Sequence, residues 1–135
     1  MRIALLILLL AGCNDGRNRI GTETGEICEV VDDCYQGNVD REGLSGAVVC
    51  LDRVPDGYCT HECETDDDCC AADGECDDDS PPQVCAPFES ENRKMCFLSC
   101  EDEVDSYCTD NLSEDFNCSS TGGGNQNRKI CSPKI

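Results

Sequence analysis

The strongest apolar run lies at the start of the chain, where eight consecutive apolar residues from Ile3 to Leu10 follow Arg2 and give way to Ala11, Gly12 and Cys13. A helix needs about 20 such residues to cross a bilayer, so this run is too short to span one. A basic start, an apolar centre and small residues before a cut are the parts of a secretory signal, and residues 1–12 are read as a leader. The pattern then changes character. Residues 13–27 carry Gly16, Gly21 and Gly25 with no apolar period, which predicts a flexible tether. Beyond Cys28 no window keeps a helical apolar stripe over three turns. Val48 to Val54 and Tyr58 to Cys63 flank Pro55-Asp56-Gly57, in which proline presets φ and glycine accepts a positive φ, so a short β-hairpin is expected. Ala72-Asp73-Gly74, Ser80-Pro81-Pro82 and Thr121-Gly122-Gly123-Gly124-Asn125 interrupt the rest, leaving short strands and loops and little helix outside the leader.

Few residues are left to build a core. Leu, Ile, Val and Phe make up 19 of the 123 residues from Cys13 onward, and the net charge is -19, a combination that ordinarily gives disorder. Cysteine changes the picture. With 15 Cys in 135 residues the chain exceeds the roughly 8–10% that marks a disulfide scaffold in an exported protein. A bridge closing a loop of ~15 residues contributes about 3 kcal/mol on chain-entropy reasoning, so several bridges can stand in for the missing core. The expected fold is therefore small and disulfide-rich, and it should collapse on reduction.

The cysteines repeat. Cys28-Glu-Val-Val-Asp-Asp-Cys34 and Cys63-Glu-Thr-Asp-Asp-Asp-Cys69 share spacing and chemistry, and Cys100 to Cys108 repeats the acidic loop with two more residues. Each acidic pair is followed by a second pair, giving about three four-cysteine modules. They are read as Cys28, Cys34, Cys50, Cys59 within residues 28–62; Cys63, Cys69, Cys76, Cys85 within 63–95; and Cys100, Cys108, Cys118, Cys131 within 96–135. Cys70 and Cys96 are left over, and the economical expectation is that they bridge the second module to the third. Four cysteines allow three connectivities, which spacing alone does not decide.

Leu10-Ala11-Gly12-Cys13 resembles the lipobox of bacterial lipoproteins. That resemblance implies a diacylglycerol on the Cys13 thiol, cleavage just before it and acylation of the new amine. Two or more acyl chains anchor stably, since each buried methylene adds about 0.8 kcal/mol. Covalent lipid on Cys13 is the one added group expected, with no other cofactor. Asn14 rather than Asp follows Cys13, and by resemblance to enteric sorting signals this favours the outer membrane over the inner. From Cys28 to Cys131 the chain resembles the cysteine-rich repeat lipoproteins of some Gram-negative bacteria. Asp66-Asp67-Asp68-Cys69 is similar, more faintly, to an element of Dickkopf-like and colipase-like modules, and is too short to carry a function across.

The acidic charge repels nucleic acid and anionic lipid headgroups, so no nucleic-acid partner is expected. Catalytic supply is thin, with one histidine, His61, between Cys59 and Cys63. Sulfur and nitrogen there suggest zinc on paper, but exported thiols oxidise, and His61 is read as an exposed hairpin residue beside a disulfide. Asp66, Asp67, Asp68 and Asp77, Asp78, Asp79, with Glu101 to Asp105, offer the hard oxygens calcium prefers, but none fits an EF-hand loop, and a solvated acidic face is the preferred reading. Arg93-Lys94 and Arg128-Lys129, the two adjacent basic pairs, are expected to meet nearby carboxylates rather than to bind a partner.

These features point to a non-catalytic, membrane-anchored binding module of the cell envelope, with an unidentified protein or envelope component as partner. Two other readings are an inhibitor of a secreted hydrolase, presenting a loop such as Ser80 to Gln83, and an acidic calcium-binding envelope protein.

Overall fold

Three antiparallel hairpins organise the chain. In the computed structural model, which describes residues 24–78, 80–88, 92–121 and 127–134, β1 (Val48–Cys50) pairs with β2 (Cys59–His61), β3 (Gln83–Pro87) with β4 (Lys94–Leu98), and β5 (Phe116–Ser120) with β6 (Lys129–Pro133). One short helix, α1 (Tyr107–Asn111), and three short 3-10 segments of three to five residues complete the described elements. The leader, Cys13, residues 14–23 of the tether and Asp79 lie outside the described residues.

Register explains the cysteine spacing. Cys50 faces Cys59 across the first hairpin, Cys85 faces Cys96 across the second and Cys118 faces Cys131 across the third. Facing cysteines do not join each other; each reaches back to the acidic loop ahead of its hairpin. The loop's first cysteine bridges the first strand and its second cysteine bridges the second strand. The pairs are Cys28–Cys50 with Cys34–Cys59, Cys63–Cys85 with Cys69–Cys96, and Cys100–Cys118 with Cys108–Cys131. The fold is thus small and disulfide-rich, a loop stapled twice to a hairpin and repeated three times.

The second module corrects the sequence expectation. Cys96 closes this module with Cys69 rather than joining it to the third, and Cys70 pairs locally with Cys76 across a separation of 6. The reason is geometric: the two cysteines that receive the loop must stand opposite one another on the hairpin, as Cys85 and Cys96 do, whereas Cys76 precedes β3. The boundary between the second and third modules accordingly falls after Ser99 rather than before Cys96. The first boundary shifts too. Residues 24–27, expected in the tether, are docked on module 1, where Gly25 N–H donates to the Cys59 carbonyl at 2.7 Å, the Cys59 N–H donates to Glu26 at 2.9 Å, and Thr24 is fully buried.

Consecutive modules are handed on by a short strand. Glu62, Ser99 and Lys134 occupy the same place after the last cysteine of their modules, and their N–H groups donate to Ala47, Pro82 and Asp115 at 3.0, 2.9 and 2.7 Å. Glu62 also bridges Met95 and Ser99 bridges Ile130, so the residues leaving one hairpin pair with the second strand of the next. Cys63 and Cys100 continue that pairing to the Lys94 and Lys129 carbonyls, both at 3.1 Å. Only three residues separate Cys59 from Cys63, and three separate Cys96 from Cys100, so successive modules are held by strand pairing rather than strung on linkers.

The apolar residues, few as they are, pool into a shared core. Tyr58 of module 1 packs on Phe97 of module 2 and Phe116 of module 3, with ring centroids 5.5 and 5.8 Å apart, and Phe88 packs on Phe97 at 5.7 Å. Met95, Leu98 and Ile130 belong to the same buried cluster as these rings. Aromatic side chains suit a sparse core because each removes a large area from water.

The acidic loops have a structural cause as well. Asp33 Oδ2 accepts the N–H groups of Glu29 and Val30 at 2.8 and 3.0 Å, and Asp68 Oδ2 accepts those of Glu64 and Thr65, both at 2.8 Å. In each case the aspartate before the second cysteine caps the turn just after the first. These N–H donors hold both carboxyls below the usual carboxylate range, Glu29 dominating at Asp33 and Thr65 at Asp68. In module 3 the equivalent position is Tyr107, and two extra residues with α1 replace the capped turn.

Candidate functional site at the seam of modules 1 and 2

His61 sits at the end of β2 with no exposure to solvent, not on an open hairpin surface as its sequence context suggests. Its Nδ1 lies 2.9 Å from the Glu62 carbonyl and its Nε2 lies 2.6 Å from Glu75 Oε1. Both ring nitrogens therefore face oxygens. A carbonyl can only accept, so Nδ1–H donates to it, and Nε2 meets the equally buried Glu75 carboxyl in a second hydrogen bond. The other carboxylate oxygen of Glu75 accepts the Ala72 N–H at 3.1 Å. Tyr35 meets the imidazole edge-on at 5.6 Å and bonds through its hydroxyl to Thr24 at 2.8 Å.

This cluster joins two modules. Tyr35, Thr24 and His61 belong to the first and Glu75 to the second, and Thr60 Oγ1 adds a bond across the same seam to the Cys96 carbonyl at 2.7 Å. The loop carrying Glu75 docks on module 1 through Asp73, whose carbonyl accepts the Asp40 N–H at 2.8 Å. Gly74 permits the approach: its φ is +79°, and a Cβ there would stand 2.4 Å from the Asn38 carbonyl oxygen. A zinc site at His61 is not formed, because Cys59 and Cys63 are bridged to Cys34 and Cys85. Among the described residues, the groups of three ligating atoms within 4.8 Å of one another are all cysteine sulfurs that the disulfides occupy.

Modules 1 and 2 also border an open cleft of about 500 Å³, lined by Ser45, Gly46 and Glu62 of the first and by Glu64, Arg93 and Lys94 of the second. A second cleft of about 360 Å³ shares Glu64 and Lys94 and ends at Arg128. Three of the chain's 10 basic residues therefore line these two adjoining clefts on an acidic protein. Arg93 pairs with Glu62 at 2.8 Å, and Lys94 donates to the Glu64 carbonyl at 3.4 Å. Arg128 is clasped between Asp66 of module 2 and Glu101 of module 3, both at 2.7 Å, which holds its guanidinium firmly protonated and lowers the Glu101 carboxyl, chiefly through the bond to Arg128.

The weak calcium candidates, for which a solvated acidic face is the preferred reading, point to separate partners. Asp66 turns to Arg128 and accepts the Cys85 N–H at 2.9 Å, Asp68 caps its own turn, and Asp67 and Asp78 are exposed. Asp77 bonds Ser80, and the candidate inhibitory loop Ser80 to Gln83 is tied down at that hydroxyl and through the Pro82 carbonyl. Glu75 carries one inter-module clasp and stands out from no sequence motif, its partner lying 14 residues away, whereas Arg128, of the basic pair expected to meet carboxylates, finds them in Asp66 and Glu101, 62 and 27 residues away.

Comparison of the chain with protein-family models, with curated proteins and with solved structures finds no match.

Proposed function

We propose that the chain is a lipid-anchored, non-catalytic binding module of the bacterial envelope, and that its binding surface is the pair of polar clefts that meet at Glu64 and Lys94 and run from module 1 across module 2 to Arg128 of module 3. The observation that carries this reading is the gathering of Arg93, Lys94 and Arg128 along two adjoining clefts of a protein whose net charge is -19. Cations held by acidic neighbours on a stapled scaffold form a preorganised mixed-charge surface, which loses little side-chain freedom when a polar partner docks. Residues 1–13 supply the anchor through the lipobox. Folding by disulfides suits export, where thiols oxidise.

The test has two arms. Intact mass of the membrane-extracted protein should report acyl chains on Cys13; an unmodified Cys13 behind an uncleaved leader would remove the anchor from the proposal. A photo-crosslinking side chain at exposed Asn92, on the rim of the larger cleft, should give an adduct in intact cells that Arg93→Glu with Lys94→Glu abolishes. An adduct indifferent to that charge reversal would contradict the cleft assignment.

A further inference from the structure

The Cys70–Cys76 bridge stands outside the repeat. The other six bridges form three copies of one pattern, each spanning 18 to 27 residues, while this one closes a separation of 6. Cys70 is also the one exposed cysteine among the described residues, and every other bridge has at least one sulfur in a buried residue. The short loop it closes has a definite job: it carries Asp73, Gly74 and Glu75, the residues that dock module 2 onto module 1.

We propose that Cys70–Cys76 is a thiol–disulfide exchange site for a dithiol, with Cys70 as the attacked sulfur and Cys76 as the leaving group, and that opening it loosens the His61–Glu75 clasp. Access selects Cys70. Cys76 is partly covered, and Gln83 Nε2 donates to its sulfur at 3.3 Å, a placement that stabilises negative charge there as the bond breaks. The thiolate of the dithiol bonds to Cys70 Sγ, the Cys70–Cys76 bond breaks, and its electron pair leaves on Cys76 Sγ, which takes a proton. The second thiol of the reagent, deprotonated, then attacks its partner sulfur and releases Cys70 as a thiol. The protein gains two electrons and two protons, and the dithiol becomes a disulfide.

Asp66, Asp67, Asp68, Asp77 and Asp78 flank this bridge in sequence and Asp73 lies within its loop, which gives the loop an acidic setting. That setting disfavours approach by anionic thiols and leaves neutral dithiols, or a dithiol protein with a neutral or basic rim, as the fitting class of reductant. Once the loop is open, Glu75 is no longer fixed at both ends, and the seam between modules 1 and 2 is held by Thr60, by the Glu62–Met95 pairing and by the shared core.

The experiment uses the folded full chain at neutral pH without denaturant. Limiting dithiothreitol is added, free thiols are alkylated at intervals, and peptides are mapped. Cys70 and Cys76 should be alkylated at least ~10-fold faster than any other pair, and the His61 imidazole resonances should shift as they open. Gln83→Leu should slow that opening several-fold. Earlier or simultaneous opening of another bridge would overturn the site, an unchanged rate in Gln83→Leu would overturn the leaving-group assignment, and unmoved imidazole resonances would overturn the coupling to the clasp.

Discussion

Glu75 Oε1 lies 2.6 Å from His61 Nε2, with neither side chain reaching solvent, and the two residues belong to different modules. A buried pair of this kind is costly to break from one side, because the remaining polar group keeps its desolvation cost without its partner. Glu75→Ala and His61→Ala should each destabilise the chain by about 3–5 kcal/mol. The double variant His61→Leu with Glu75→Leu should recover much of that loss. Denaturant unfolding followed by tyrosine fluorescence measures both, and additive losses in the double variant would contradict direct coupling.

The two capping aspartates predict an acid limb. Their folded carboxyls titrate below the usual range, so their stabilisation is fully present above the unfolded value near about pH 4 and is lost as pH falls through the folded values. Thermal midpoints should therefore drop on acidification in this window, and Asp33→Asn combined with Asp68→Asn should flatten the drop. A limb of unchanged steepness in the double variant would place the acid sensitivity elsewhere.

Two glycines separate strain from crowding. Gly57 has φ +70° and a Cβ there would lie 2.0 Å from the Cys28 carbonyl oxygen, whereas Gly37 has φ +76° with open space around it. Gly37→Ala should cost about 1–2 kcal/mol, the backbone penalty alone. Gly57→Ala should cost more than about 3 kcal/mol, since backbone must move as well, and should lower the yield of correctly bridged module 1. Equal losses in the two variants, read from midpoints of refolded material, would count against the close approach.

The bridges should also rank. Cys34–Cys59 closes a separation of 25 with both sulfurs in fully buried residues, while Cys70–Cys76 closes 6 at the surface. Loop entropy alone gives about 3.5 kcal/mol for the former and about 2 for the latter, and the cavity left by two buried sulfurs widens the gap. Paired alanine replacement at Cys70 and Cys76 should leave the other six bridges intact, and the same change at Cys34 and Cys59 should cost more in midpoint. The reverse order would show that the surface bridge supports the core.

The acidic loops, the hairpin turn at Pro55 and Gly57, and the three-fold count of modules are all legible in the sequence because they are local: spacing and turn chemistry carry them. The second module is where local reading fails. Cys76 and Cys85 enclose eight residues, as Cys50 and Cys59 do, and that coincidence conceals the true frame. A better signal lies in the short link between modules. Cys96 precedes Cys100 by the same interval that separates Cys59 from Cys63, which marks Cys96 as a closing cysteine. His61 is misjudged for a different reason: its partner Glu75 comes from another module, and nothing about the Glu75 position in sequence announces that the loop folds back. Thr24 is lost to a tether reading because one buried hydroxyl leaves no periodic trace.

The repeat frame is the claim on which the rest depends, and disulfide mapping tests it most directly. The oxidised chain would be cleaved without reduction, with stepwise partial reduction to separate the adjacent Cys69 and Cys70, and the linked peptides identified by mass. The account predicts Cys28–Cys50, Cys34–Cys59, Cys63–Cys85, Cys69–Cys96, Cys70–Cys76, Cys100–Cys118 and Cys108–Cys131. A bridge between Cys70 and Cys96, or between the facing cysteines of any hairpin, would contradict it.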